Sequence, residues 1–343
     1  MSARKNLIRM SVVIIILLFY ILLDLILGCF FLKKDEIRIS DPYFHHGLKP
    51  MSQKSSEWGG RNYRLVTNSL GFKDSSNRDI EKKAGMKRIM FLGDSFTEGL
   101  GYDFDSTFTG IIANDLKGKY EVLNGGVTSY SPKLYLLRTE HLINSGYEFD
   151  HIVLMLDISD IQDEVIYENF IPERKISLLK SVDVKLSNTF FSYSYFFRGI
   201  IKKLLNSHSG SGEDSILEQK ISDRGLWTYD EKCFAEWGEK GLYAAEISMK
   251  KLSDLCRNKK IKLTMAVYPW PEQMINDTVE SKQVIFWKGF CLENNIDFID
   301  LFPYFFEDEC RECTVKKYFI EGDCHWNYDG HELIAEKILE RIK

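Results

Sequence analysis

Residues 88–343 predict an α/β domain on a doubly wound, mostly parallel, five-stranded sheet; one pattern carries that reading and two motifs mark its candidate site. Short apolar runs of strand length alternate with helix-period segments, the pattern of βα units whose sheet is covered on both faces. A serine follows the first of these runs, at Gly93-Asp94-Ser95. An aspartate and a histidine share one short segment near the end of the chain, Asp323-Cys324-His325.

The first element lies ahead of that domain. Met10 to Leu32 is apolar except for Asp24. Roughly 20 apolar residues in a helix cross the hydrocarbon core of a bilayer. A cleaved signal peptide has a shorter apolar region, about 7–15 residues, that ends in small residues. No such ending follows here, and Asp24 and Leu27 make Leu27-Gly28-Cys29 a poor lipoprotein signal. Residues 1–9 therefore read as a short cytoplasmic tail and 10–32 as an uncleaved transmembrane anchor. Arg4, Lys5 and Arg9 precede the span while Lys33, Lys34 and Arg38 follow it, so charge alone orients it weakly. A short basic tail before a large domain suits a single-pass protein with its domain on the extracytoplasmic side. Residues 33–87 hold Pro42, Pro50, Gly59, Gly60 and Gly71 without sustained periodicity, and read as an irregular lead-in.

Strands are expected at 88–92, 120–123, 151–156, 261–268 and 296–301, and helices at 106–116, 132–145, 234–256, 280–294 and 328–342. The run 151–156 is apolar throughout, as a strand buried on both faces should be. Residues 165–230 read as a helical insertion. Its aromatic and aliphatic stretch 190–205 is expected to pack on the core; a lid, or a surface against the bilayer, is the alternative.

The 343 residues carry a formal net charge of -5 and no block of like charge, so nothing marks nucleic acid as a partner. Among seven cysteines, Cys310 and Cys313 are spaced for a local disulfide. They lack the second pair or the histidines that a zinc site needs. No metal or organic cofactor is indicated.

Serine becomes a nucleophile when a neighbouring base takes its proton, and histidine does so near neutral pH. A carboxylate fixes the imidazole tautomer and stabilises the imidazolium. Ser95 with His325 and Asp323 supplies those roles. Asp94 is expected to stabilise the nucleophile loop, Glu98 to be a helix N-terminal charge, and His331 to be structural. Trp270, in Tyr268-Pro269-Trp270-Pro271, is a candidate to stack on a sugar ring, with Trp326 beside the base a second substrate contact; a rigid loop filler is the other reading of Trp270.

Four blocks in order, Gly93-Asp94-Ser95-Phe96-Thr97-Glu98-Gly99, Asn124-Gly125-Gly126-Val127-Thr128-Ser129, Asp157-Ile158-Ser159-Asp160 and Asp323-Cys324-His325-Trp326, resemble those of the SGNH (GDSL-like) hydrolases. The resemblance runs from about residue 88 to the C-terminus and leaves out the insertion. The last block is similar to that of the alginate O-acetyltransferase-like subgroup. It implies a flavodoxin-like three-layer fold and a serine ester hydrolase of cell-surface carbohydrate, or an O-acetyltransferase using the same triad with a membrane acyl-donor protein as partner. A non-catalytic glycan-binding or assembly component on the same fold is the third reading. The resemblance also implies an oxyanion hole from Ser95, Ser129, Ser159 and Gly126, with Asn124 and Asp160 as structural neighbours. Two departures stand out: Ser129 stands where the family usually has glycine, and Ser159 where it has the asparagine whose amide donates to the oxyanion. Removing one such donor typically costs about 10²–10³ in rate.

Overall fold

A computed structural model describes residues 2–31, 37–83, 85–172, 194 and 223–342. The chain divides into two compact units, Met1–Glu36 with Glu173–Gln219, and Ile37–Pro172 with Lys220–Lys343.

In the first unit, helix α1 runs over Ser2–Phe31. It starts well before the expected anchor, because nothing between Ser2 and Arg9 breaks a helix. Its stretch Ile8–Gly28 is long and apolar enough to cross a membrane. Asp24, the one charge in the apolar run, accepts a hydrogen bond from the Ser194 hydroxyl, the sort of partner an ionisable group in such a run requires. Residues 173–193 and 195–222 of the expected insertion lie outside the described residues, and with them all but Ser194 of the aromatic helix expected at 190–205.

The second unit opens with a departure from expectation. Within the lead-in, 38–66 is not irregular but forms two antiparallel hairpins, while no strand or helix falls between Val66 and Lys87 among the described residues. Strand β1 (Arg38–Asp41) pairs with β2 (His45–Leu48), and β3 (Gln53–Trp58) with β4 (Arg61–Val66). These strands are short and solvent-exposed along much of their length, so they lack the apolar alternation by which strands are recognised. Only β4 buries an alternating pair, Tyr63 and Leu65.

The central sheet follows the predicted pattern. Strands β5 (Lys87–Leu92), β6 (Tyr120–Asn124), β7 (His151–Leu156), β8 (Lys262–Val267) and β9 (Asp297–Asp300) are ordered β6-β5-β7-β8-β9 and pair in parallel. Successive side chains of a strand point to opposite faces. Ile89 and Phe91 accordingly join a core with Phe108, Ile112, Ile334 and Ile338, from a helix over Phe108–Asp115 and the C-terminal helix (Tyr328–Ile342). Met90 and Leu92 join the other core, with Leu134, Met249, Leu252 and Trp287. Those side chains come from helices Pro132–Asn144, Glu239–Lys259 and Lys282–Asn294. Helices cover both faces, which makes three layers.

From β5 the chain moves to β6 on one side and then to β7 on the other. The carboxyl end of β5 is therefore the switch point at which doubly wound sheets bind ligands.

Candidate active site

Ser95 opens the one-turn helix α2 (Ser95–Glu98) directly beyond β5. Asp94 caps that turn, accepting from the Phe96 N–H at 3.0 Å. Gly99 ends it at φ 73°, the left-handed conformation that glycine adopts without strain. The turn places the Ser95 hydroxyl 3.1 Å from Asp94 Oδ2 and 2.8 Å from His325 Nε2.

His325 arrives from the opposite end of the sequence. Ile320 N–H donates to the His325 carbonyl at 2.9 Å, and Phe319 bridges to Trp326. This closes the loop that carries Asp323, with Gly322 at φ 72° supplying the turn. Asp323 Oδ1 accepts from the His325 backbone N–H at 2.8 Å and faces its Nδ1 at 2.5 Å. Burial raises the Asp323 carboxyl, but hydrogen bonds from the His325 ring and backbone, the imidazole charge and the Trp58 indole outweigh it and hold the group below its usual range. A carboxylate can only accept, so the imidazole proton sits on Nδ1 and Nε2 is free to take the proton of Ser95. The structure thus brings Ser95, His325 and Asp323 into one connected line.

The four oxyanion residues implied by the resemblance separate on inspection. The backbone N–H groups of Ser95 and Ser129 have no hydrogen-bond partner among the described residues. Ser129 is held at φ 60°. Gly126 is different, because its N–H donates to Asn124 Oδ1 at 3.0 Å and is spent. A Cβ there would meet Glu98 N at 2.3 Å, so this glycine allows the loop to press on the nucleophile turn. Ser159 is also committed: its N–H and hydroxyl both donate to Asp157 Oδ1, at 2.7 and 2.8 Å. It caps its own loop rather than offering a donor in place of the family's asparagine. Asn124 is structural, its amide donating to Thr97 O at 2.8 Å and Thr109 Oγ1 at 2.7 Å.

Beside the nucleophile lie three fully buried carboxyl groups, Asp94, Asp157 and Asp160. Burial first, and the charge of Asp157 second, push both Asp94 and Asp160 well above the usual carboxylate range. Like charges this close in a dry site cannot all ionise together. By donor type the trio could take a cation. Their oxygens, however, already accept from Phe96 N–H, Ser159, the Tyr135 hydroxyl (2.9 Å) and the Trp270 indole (2.9 Å). Burial thus disfavours the charged form of Asp94, whose Oδ2 lies 3.1 Å from the Ser95 hydroxyl.

The two candidate tryptophans also diverge. Trp270 is half-buried, with its ring beside Phe96 and its N–H on Asp157. Trp326 is fully buried among Phe96, Phe108, Tyr268 and His331, a core residue that cannot meet a substrate. An indole that the sequence did not single out takes the outer position. Trp58, at the tip of the second hairpin, is 38 % exposed and sets its ring edge-on to His325 at 5.4 Å. No local motif marks it, since its partner is distant in sequence. His331 is structural, as expected: it is buried, and its Nδ1 accepts from the Phe108 N–H at 3.3 Å.

A cleft of about 600 Å³ runs beside the acid–base loop, bordered by Pro271, Glu272, Ile320, Asp323 and Cys324. Another of about 600 Å³ lies by Arg78, Arg88, Lys117 and Glu121, at the amino ends of β5 and β6, and includes none of Ser95, His325 and Asp323.

No family model matches the sequence, and neither does any curated protein. Solved structures do. A member of the lipolytic protein G-D-S-L family from Veillonella parvula is 16% identical, with 75% of this chain and 98% of that one aligned at a TM-score of 0.40. The acetyl xylan esterase AlAXEase is 15% identical over 75% of this chain and 100% of its own, TM-score 0.43. Axe2, an acetylxylan esterase from Geobacillus stearothermophilus, is 12% identical over 76% and 95%, TM-score 0.41. Identities this low say nothing of the reaction, which only the geometry of the site can address.

Proposed function

We propose that this chain is a serine-dependent ester hydrolase acting on acylated carbohydrate outside the cytoplasm. One observation carries the reading: Ser95 Oγ, His325 and Asp323 form a continuous hydrogen-bonded line of 2.8 and 2.5 Å at the switch point of the sheet.

In this mechanism Ser95 Oγ attacks the ester carbonyl while its proton passes to His325 Nε2. The N–H groups of Ser95 and Ser129 face the developing oxyanion, and Asp323 balances the imidazolium. The tetrahedral intermediate collapses, the C–O bond to the alcohol breaks, and the leaving oxygen takes the proton from His325. Water, deprotonated by the same imidazole, then attacks the acyl-Ser95 ester and returns the serine with its proton. A sugar hydroxyl in place of water would turn the same steps into O-acyl transfer.

Carbohydrate is favoured by the indoles bordering the site, Trp58 against His325 and Trp270 beside Phe96, since aromatic faces suit sugar rings. An extracytoplasmic position agrees with the apolar stretch Ile8–Gly28 and with the Cys310–Cys313 disulfide, which suits an oxidising compartment.

Labelling the detergent-solubilised protein with a fluorophosphonate, with Ser95→Ala as control, tests the nucleophile. Labelling confined to Ser95, with acetate released from acetylated xylo-oligosaccharide, is the expected result. A folded sample that neither labels nor hydrolyses would remove the esterase reading. An acetyl group passed to an added oligosaccharide faster than to water would shift it to transfer.

A further inference from the structure

The N–H of Ser129 is useful to an oxyanion only if the turn that carries it is held in place, and the residues holding it lie outside the triad. Every polar group of the preceding residue, Thr128, is tied. Its N–H and its hydroxyl both donate to Glu98 Oε2, each at 2.9 Å. Its carbonyl accepts from His46 Nε2 at 2.9 Å. Tyr130, just beyond, donates its hydroxyl to the His46 carbonyl at 2.7 Å.

Glu98 is the last residue of the nucleophile turn and is fully buried. A buried carboxylate needs a paired charge. Arg38, on β1, supplies it in bidentate form, with guanidinium nitrogens 2.9 and 2.6 Å from the two carboxylate oxygens. Such a fork fixes direction as well as charge. The contacts run from the first hairpin through Glu98 to Thr128, and on to a serine at φ 60°, a conformation a non-glycine residue adopts only when its surroundings impose it.

We propose that Arg38, Glu98 and Thr128 form a strut by which the hairpin following the apolar helix sets the oxyanion-binding turn at Ser129. Glu98 and Thr128 are then positioning residues for the reaction. The proposal rests on the ester-hydrolase reading above and deepens it. It gives the hairpin His45–Leu48 with Arg38–Asp41 a part in catalysis that its short exposed strands do not advertise.

The test uses the full chain in detergent with p-nitrophenyl acetate, comparing wild type, Thr128→Val, Thr128→Ser and Arg38→Lys. Serines are counted by fluorophosphonate labelling at saturation, so that kcat refers to competent sites, and Tm is recorded for each. Loss of one oxyanion donor costs about 10²–10³ in rate, so a displaced donor should cost at least about tenfold. Thr128→Val should lower kcat per labelled serine by that factor with KM nearly unchanged, the signature of an interaction made in the transition state. Thr128→Ser, which keeps the hydroxyl, should stay within about twofold of wild type, and Arg38→Lys, which keeps the charge but loses the fork, should fall between. Wild-type kcat per labelled serine in Thr128→Val and Arg38→Lys would overturn the strut, whether or not Tm or the labelled fraction had dropped. A wild-type protein without Ser95-dependent labelling or turnover would instead overturn the hydrolase reading, and the strut with it, before any variant is compared.

Discussion

Asp323→Asn probes whether His325 works as an oriented, charge-balanced base. In the native site one oxygen, Oδ1, faces the ring Nδ1 at 2.5 Å and the backbone N–H at 2.8 Å. The asparagine oxygen can keep both contacts, so the loop should hold. What is lost is the negative charge that the imidazolium meets when Ser95 gives up its proton. Two unit charges about 4 Å apart at an effective dielectric of about 20 interact by about 4 kcal/mol. At about 1.4 kcal/mol per decade this predicts a kcat about 10³ lower. An amide turned the other way would put its N–H₂ on Nδ1, move the ring proton to Nε2 and deprive Ser95 of its acceptor, which lowers the rate further. The Asp323 carboxyl is held below its usual range, so it is ionised throughout the neutral range. Steady-state kinetics on p-nitrophenyl acetate, with sites counted by fluorophosphonate, read the effect. A kcat within about tenfold of wild type in a folded Asp323→Asn protein would show that the carboxylate does not balance the imidazolium, since an attraction of about 4 kcal/mol leaves no room for so small a loss.

Other outcomes can be checked with the same protein. Gly126→Ala puts a Cβ 2.3 Å from Glu98 N and 2.6 Å from the Thr97 carbonyl carbon, both backbone atoms. Overpacking of this kind costs about 1–3 kcal/mol or more, so its melting temperature should fall by several degrees and an unchanged Tm would contradict the close approach. Burial, with the charges of Lys73 and His325, pushes His331 down to about 3. The unfolded chain takes up that proton near pH 6.5 and the folded chain only near 3, so stability is full above pH 6.5 and is lost as pH falls. Linkage puts the loss at about 2 kcal/mol between pH 7 and 5. His331→Gln keeps an acceptor for Phe108 N–H and should show a shallower fall of Tm over that interval; equal slopes would sink the assignment. Trp326→Ala should cost about 3–5 kcal/mol in denaturant titration, as a buried aromatic does. Trp270→Phe should instead raise KM for acetylated xylo-oligosaccharide more than for p-nitrophenyl acetate, and equal changes would remove Trp270 from sugar binding.

Much of this protein is decided within short stretches of sequence. The strands were legible because a sheet covered on both faces demands continuous apolar runs, as in His151–Leu156, and turns at their ends. Ser95 and the Asp323–His325 pair were legible because each sits in a local turn whose shape its own neighbours set: Asp94 capping α2, Gly322 turning the base loop. The apolar run at the N-terminus announces itself by length alone. Tertiary structure decided the rest, since donor and acceptor capacity is finite and its allocation is not local. Ser159 could have offered its hydroxyl to an oxyanion, and Gly126 its N–H, until Asp157 and Asn124 took them. Trp326 and Trp58 are alike in sequence as indoles near glycines or histidines, and only packing sends one into the core and the other over His325. Glu98 is the helix charge the sequence suggests, yet its partners are Arg38 far upstream and Thr128 downstream. Short polar strands leave no periodic trace, so the hairpin that carries Arg38 became visible only when the fold brought its guanidinium onto the carboxylate behind the nucleophile.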